Sequence, residues 1–294
     1  MPIARRRYRR AKARLAKAAA RLTGDNIEGP SNQQANQDNP GSVQEQTPGR
    51  EITVSPYNTV ESHRHWGVFL NRSRTHPIRL LTTALIRYEG DDFGEKRFVG
   101  DFGGNLCEFR VWSPFQSKLA AGIMNGLSDL HLKSGANVLY LGAGFGHTVS
   151  YVSDIIGESG MVYAVEQGPW AARQLTTLAN RRPNVVPVME DASMPYKYRH
   201  QVPAGIDIIF CDLPLSDQVR CLMLNARHYL SIGGYFLVFV RANILEPNVA
   251  NTLALEKERL KQHQLEPLEE VLLDPFMPGF ALVAGVYTRE VPRD

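Results

Sequence analysis

The chain has 294 residues, 43% hydrophobic and 21% charged, enough for a sizeable core in one large domain or two unequal ones. Its longest strongly apolar run, Tyr235 to Val240, is far too short to span a bilayer, and the N-terminus lacks the apolar h-region of a signal peptide. Three cysteines, Cys107, Cys211 and Cys221, match no zinc site or disulfide framework and are expected as reduced, mostly packed thiols of an intracellular protein.

The net charge of +3 hides an asymmetry. Nine of the 33 Lys and Arg lie in residues 1–24, which hold no acid, so the remainder sets 24 basic against 30 acidic residues. Polyanion attraction is therefore concentrated in the tail, and any RNA contact by the body rests on a local patch. The tail is rich in the helix formers Ala, Arg, Lys and Leu. It suits a nuclear or nucleolar basic arm, an RNA-binding arm, a mitochondrial transit peptide or a merely solvated tail. Residues 25–58, dominated by Asn, Gln, Pro, Gly and Ser, cannot offset the entropy of ordering and are expected as a disordered linker.

Residues 59–114 alternate short apolar runs with charges and glycine, as in Gly67-Val-Phe-Leu70 and Glu108-Phe-Arg-Val-Trp112. They are expected as short strands of a small β-rich subdomain. From residue 115 to 294 the texture changes. Val138-Leu-Tyr-Leu141, Met161 to Val165, Val185 to Met189, Ile206 to Phe210 and Tyr235 to Val240 are continuous apolar runs, suited to strands buried on both faces of a parallel sheet. Amphipathic helical patterns such as Ala171 to Asn180 and Gln218 to Leu230 lie between them. Alternating β and α predicts a doubly wound α/β sheet. Glu269 to Leu273 and Ala281 to Tyr287 predict a closing antiparallel hairpin, which fits the S-adenosylmethionine (SAM) methyltransferase variant of that architecture.

The strongest local motif is Val138-Leu-Tyr-Leu-Gly142-Ala-Gly144-Phe-Gly146-His147-Thr148. A buried strand ends in a glycine-rich turn, and a helix starts near Thr148. Glycines let backbone approach a ligand, and the helix N-terminus offers free N–H groups. Glu166, 20 residues after Gly146, sits at the end of the next strand, where an acid can grip ribose hydroxyls. The spacing is G-x-G-x-G, and the dinucleotide form would need glycine at His147, so SAM is favoured over NAD. Asp191 and Asp212 follow two further predicted strands. Asp191 suits an adenine amino group, and Asp212 the reactive sulfonium; either is also a reasonable turn or N-cap residue.

Over nearly all of residues 60–290 the sequence resembles the fibrillarin family. The resemblance is carried by His63-Arg-His-Trp-Gly-Val-Phe69, Gly94-Glu-Lys-Arg97, Trp112-Ser-Pro-Phe-Gln-Ser-Lys-Leu-Ala-Ala121, Val138 to Gly142, Thr148-Val-Ser-Tyr-Val-Ser-Asp154, Val162-Tyr-Ala-Val-Glu166, Glu190-Asp-Ala192, Asp217-Gln218 and Gly234. It implies a class I SAM-dependent methyltransferase (Rossmann-like) acting on ribose 2′-hydroxyls of rRNA within a box C/D guide ribonucleoprotein. The implied partners are a guide RNA, a Nop5/Nop56-type scaffold protein and a small kink-turn RNA-binding protein. The implied compartment is the nucleolus, with the mitochondrion as the alternative raised by the tail. SAM contacts would fall on His147, Thr148, Glu166, Gln167, Asp191, Ala192 and the stretch Asp212, Leu213, Pro214 and Leu215. The family's Lys-Asp-Lys constellation maps to Lys118, Asp212 and position 241.

Position 241 is arginine, which stays protonated and cannot be a base but can stabilise negative charge or hold a phosphate. The family's Ala-Ala-Ser-Gly turn is here Ala143-Gly-Phe-Gly146, its Phe-Ser-His-Arg is Gln167-Gly-Pro-Trp170, and its Val-Ala-Gln-Pro is Leu213-Pro-Leu-Ser216. The Gly/Arg-rich N-terminal region of eukaryotic members is absent. These departures motivate a second expectation, a catalytically weak relative kept as a structural ribonucleoprotein subunit. Protein (histone) glutamine methylation follows only by family analogy.

Overall fold

The computed structural model describes residues 54–72, 79–83, 93–213, 218–241 and 249–288. The basic tail and most of the stretch expected as a linker lie outside them. The chain enters through a closed five-stranded barrel. Its strands are β1 (Val54–Ser62), β2 (Val68–Arg72), β3 (Arg79–Thr83), β4 (Arg97–Phe102) and β5 (Asn105–Trp112), in the order β1-β2-β3-β5-β4. The expected linker boundary needs correction, because β1 begins inside it. The strand is held there by antiparallel pairing with β2 and by parallel pairing that sets Val54 opposite Val99, partners that local composition does not reveal.

Beyond the barrel come α1 (Lys118–Met124), β6 (Asn137–Leu141), α2 (His147–Ile156), β7 (Met161–Val165), α3 (Pro169–Ala179), β8 (Val185–Val188), a 3₁₀ turn (Pro195–Tyr198), β9 (Ile206–Cys211), α4 (Gln218–Tyr229), β10 (Leu230–Arg241), α5 (Val249–Lys261), β11 (Leu265–Leu272) and β12 (Phe280–Tyr287). The seven strands form one sheet in the order β11-β12-β10-β9-β6-β7-β8. Pairing is parallel from β8 through β10, and β12 runs antiparallel to both its neighbours. This is the class I methyltransferase fold: the alternating pattern predicts its doubly wound sheet, and the family resemblance implies the methyltransferase form. The expected hairpin is present, with β12 slotted between β10 and β11. Strand order reverses between β6 and β9, so the crevice of such a sheet opens at their carboxyl ends.

Alternation along the strands divides the core. Val138, Tyr140, Ile208, Phe210, Leu237 and Phe239 face one side, packed on α1, α2 and α3. Leu139, Leu141, Ile209, Cys211, Phe236 and Val238 face the other, packed on α4 and α5. The barrel sits on the first side, and Val68, Leu80 and Trp112 enter that same cluster. Trp112 stacks on Tyr151 of α2 at 5.0 Å. Beside it, the fully buried Arg110 of β5 reaches Asp154 and Ser150 of α2 and also Glu95. Asp154 takes Arg182 on its other oxygen at 2.7 Å. Two buried guanidinium groups therefore meet two buried carboxylates, the arrangement that makes buried charge tolerable. All three cysteines are free thiols, and no helix among the described residues is long and apolar enough to cross a membrane.

Candidate active site

The glycine-rich turn after β6 is built by contacts that exclude side chains. Gly142 has φ +82°, and a β-carbon there would lie 2.4 Å from the Asp212 carbonyl oxygen. Asp212 in turn donates its N–H to Leu141 O at 2.9 Å. The carboxyl ends of β6 and β9 are thus locked together at the strand-order reversal. Gly146, φ +90°, is the N-cap of α2, and a β-carbon there would meet Leu178 at 2.5 Å. No side chain caps this helix, so its first-turn N–H groups have no capping acceptor, the condition in which a helix start can take a ligand. Gly144 has nothing within 4 Å of where a β-carbon would stand.

Glu166, expected to grip ribose, holds the local backbone. Its two oxygens accept N–H groups from Gly144 at 2.9 Å and Gly168 at 2.7 Å, which fixes the turn and the entry to α3. Each oxygen keeps a further lone pair. Gln167 follows, exposed. Beyond β8, the Asp191 carboxylate accepts the Ser193 N–H at 2.8 Å, and Ala192 is buried. Leu213 is buried beneath Gly142. Pro214 and Leu215 lie outside the described residues.

His147 and Thr148 open α2. The His147 ring turns to the barrel, edge-on to Phe93 and Tyr151 at 5.4 and 5.3 Å. Both ring nitrogens are buried without a hydrogen-bond partner among the described residues. Burial, reinforced by Arg110, holds the imidazole below its usual pKa. Its main chain, rather than its ring, is what this residue offers to the crevice. Thr148 donates from Oγ1 to Ser117 Oγ at 3.2 Å. Ser117 also caps α1, accepting the Ala120 N–H. One serine therefore ties the start of α1 to the start of α2.

That tie places Lys118, the first residue of α1, over the end of β9. Its ammonium forms an ion pair with Asp212 Oδ1, both side chains being partly buried. The Tyr140 hydroxyl donates to Asp212 Oδ2 at 3.4 Å. Burial first, and Asp212 next, push the Tyr140 phenol well above its ordinary range, so it stays protonated and remains a donor. Arg241 ends β10 and is exposed. Among the described residues it makes no ion pair with Asp212; its charge lies 5.4 Å from the ring of Phe280. Lys118 Nζ lies 4.9 Å from the same ring. The site thus brings together Lys118, Asp212 and the turn from Gly142 to Thr148, with Arg241 at the rim.

The Fibrillarin family model matches residues 60–289. The chain belongs to the fibrillarin family. It is 43% identical over 230 residues to rat rRNA 2′-O-methyltransferase fibrillarin, covering 78% of this chain and 69% of that protein. Against Arabidopsis thaliana rRNA 2′-O-methyltransferase fibrillarin 1 the identity is 44% over 231 residues, with 78% and 74% covered. The crystal structure of Aeropyrum pernix fibrillarin in complex with natively bound S-adenosyl-L-methionine superposes with a TM-score of 0.71 at 35% identity, covering 80% of this chain and all of that one. The structure of a fibrillarin/Nop5p complex gives 0.65 at 28% identity, covering 77% and 100%. In this fibrillarin-family chain, three residues of the site escaped the sequence: Ser117, Tyr140 and Phe280. Ser117 lay within a matching segment without a role, Tyr140 looked like one more apolar strand residue, and Phe280 had no signal at all.

Proposed function

We propose that this chain transfers the methyl group of SAM to a ribose 2′-hydroxyl of rRNA. The observation that carries the reading is the Lys118–Asp212 ion pair at the end of β9, directly beside the glycine turn that Asp212 itself helps to close. The residues present fit the cofactor. The uncapped α2 N-terminus and the open space at Gly144 admit its amino-acid and ribose portions, Glu166 has lone pairs for ribose hydroxyls, and Asp191 and Ala192 flank the adenine. Leu213, Gln167, His147 and Thr148 complete the wall, the last two through main chain and hydroxyl.

When bound, SAM supplies an electrophilic methyl group on a cationic sulfonium. Asp212 gives that end of the crevice its negative charge, and Tyr140 and Lys118 fix the carboxylate's two oxygens. The attacking hydroxyl must lose its proton as the carbon–oxygen bond forms and the carbon–sulfur bond breaks. Asp212 is the acceptor at hand, and Lys118, with Arg241 at the rim, favours the alkoxide character that develops. Positioning supplies most of the acceleration.

The fibrillarin/Nop5p structure supports a Nop5/Nop56-type scaffold as partner. A box C/D guide RNA, a small kink-turn RNA-binding protein and a nucleolar location complete the reading; the acid-free tail keeps mitochondrial import as the alternative to test with a fluorescent fusion of residues 1–58. One residue favours a second reading. Arg241, fixed in charge, supports a weakly active subunit retained for its structure. SAM affinity measured beside single-turnover methylation of guide-directed RNA separates the two: tight SAM binding with no methyl transfer sinks the first.

A further inference from the structure

Two cations and one ring meet at the mouth of the site. Arg241 and Phe280 are direct partners in the antiparallel pairing of β10 and β12, so their side chains share one face of the sheet. Phe239 lies two residues before Arg241 and faces the same way. Lys118 arrives over that face from α1, with its ammonium 4.9 Å from the Phe280 ring centre and 5.8 Å from that of Phe239. The Arg241 guanidinium lies 5.4 Å from the Phe280 ring. An aromatic face attracts cations at these distances through its quadrupole. Phe280 packs against the edge of the first core cluster and keeps part of its surface exposed.

We propose that Phe280 is a positioning residue, the shared aromatic platform that steadies the Lys118 cation beside Asp212 and sets the Arg241 cation at the rim. The proposal deepens the methyl-transfer reading and rests on it for its kinetic consequence. Lys118 has the Asp212 carboxylate as a second anchor. Arg241 has no ion-pair partner among the described residues, so the ring is what orients it. A fixed guanidinium at this rim would then act by place, as an electrostatic partner for RNA phosphate or for the developing alkoxide.

The test replaces the ring while keeping apolar bulk. Phe280→Leu should lower the single-turnover methylation rate about tenfold, which is about 1.4 kcal/mol of barrier, with SAM affinity unchanged within about twofold. Phe280→Tyr should restore most of the rate, because it restores the ring. A rate in Phe280→Leu equal to the parent's, or a Tyr variant no better than Leu, overturns the platform. A second readout does not need turnover. In ¹³C-labelled protein, Lys118 Hε and Arg241 Hδ should show upfield ring-current shifts that Phe280→Leu abolishes. Those shifts in a chain that binds SAM but transfers nothing would uphold the placement while rejecting the reaction. Random-coil shifts for both in the parent protein overturn the placement, and thermal melting of each variant shows that it is folded.

Discussion

Gly142 is pressed against the main chain of Asp212, so that any β-carbon at 142 would stand 2.4 Å from the Asp212 carbonyl oxygen. Turn and acid cannot be moved independently. Gly142→Ala must shift one of them and also hold alanine at φ +82°. It should cost about 3 kcal/mol of stability and weaken SAM binding at least about tenfold. Chemical denaturation and calorimetric titration check both. An alanine variant with parental affinity would show that the turn is not where SAM binds.

Asp212 holds its place through two neighbours, Lys118 and Tyr140. Asp212→Asn keeps the shape and removes the charge. The single-turnover rate should fall roughly 100- to 1000-fold, with the melting temperature little changed. A fall below about fivefold would place the chemistry elsewhere.

Arginine at 241 makes a decisive exchange possible. If the charge acts by place, Arg241→Lys should change the methylation rate by less than about threefold. A gain beyond about tenfold would mean that the natural arginine limits turnover and would favour the structural-subunit reading.

The buried ion cluster predicts a stability effect away from the crevice. Asp154 is fully buried and serves both Arg110 and Arg182. Asp154→Ala leaves two guanidinium groups short of a carboxylate and should cost about 3–5 kcal/mol, or roughly 10 °C in a thermal melt. A loss under about 1 kcal/mol would mean that water replaces the carboxylate.

Acid should loosen the barrel junction. His65 is buried and accepts the Leu130 N–H on Nδ1. Burial first, then His63 and Arg64, push its pKa down from 6.5 to about 4. Between those values the unfolded chain binds a proton that the folded chain refuses, so stability falls as pH drops from about 6.5 to about 4. The loss is on the order of 3 kcal/mol across that window. Denaturant melts at stepped pH should show it, and His65→Asn, which still offers an acceptor, should flatten the slope.

Most of the fold was legible because its signals are local. Val138 to Leu141 and Ile206 to Phe210 are continuous apolar runs because both faces are buried, and a run of that kind has few other uses. The glycine turn and Glu166 were legible for the same reason: spacing along the chain carries their meaning. What stayed hidden depends on register. Phe280 reaches Lys118 only because β12 inserts between β10 and β11, and Arg110 reads as one polar residue in a strand until Asp154 is brought beneath it. β1 was missed at its start because Val54 is ordered by Val99, far along the chain.

Trp112, Leu80 and Val68 belong to the same packed cluster as α2 and the central strands, and this limits how the protein can be divided. Cutting the chain near residue 115 would bare the Tyr151 face that Trp112 covers and deprive Asp154 of Arg110. The barrel is thus not a detachable module that could be exchanged for another while the catalytic half carries on. Whatever the barrel touches in an assembly has a stiff, short mechanical path to the helix whose first turn would hold the methyl donor.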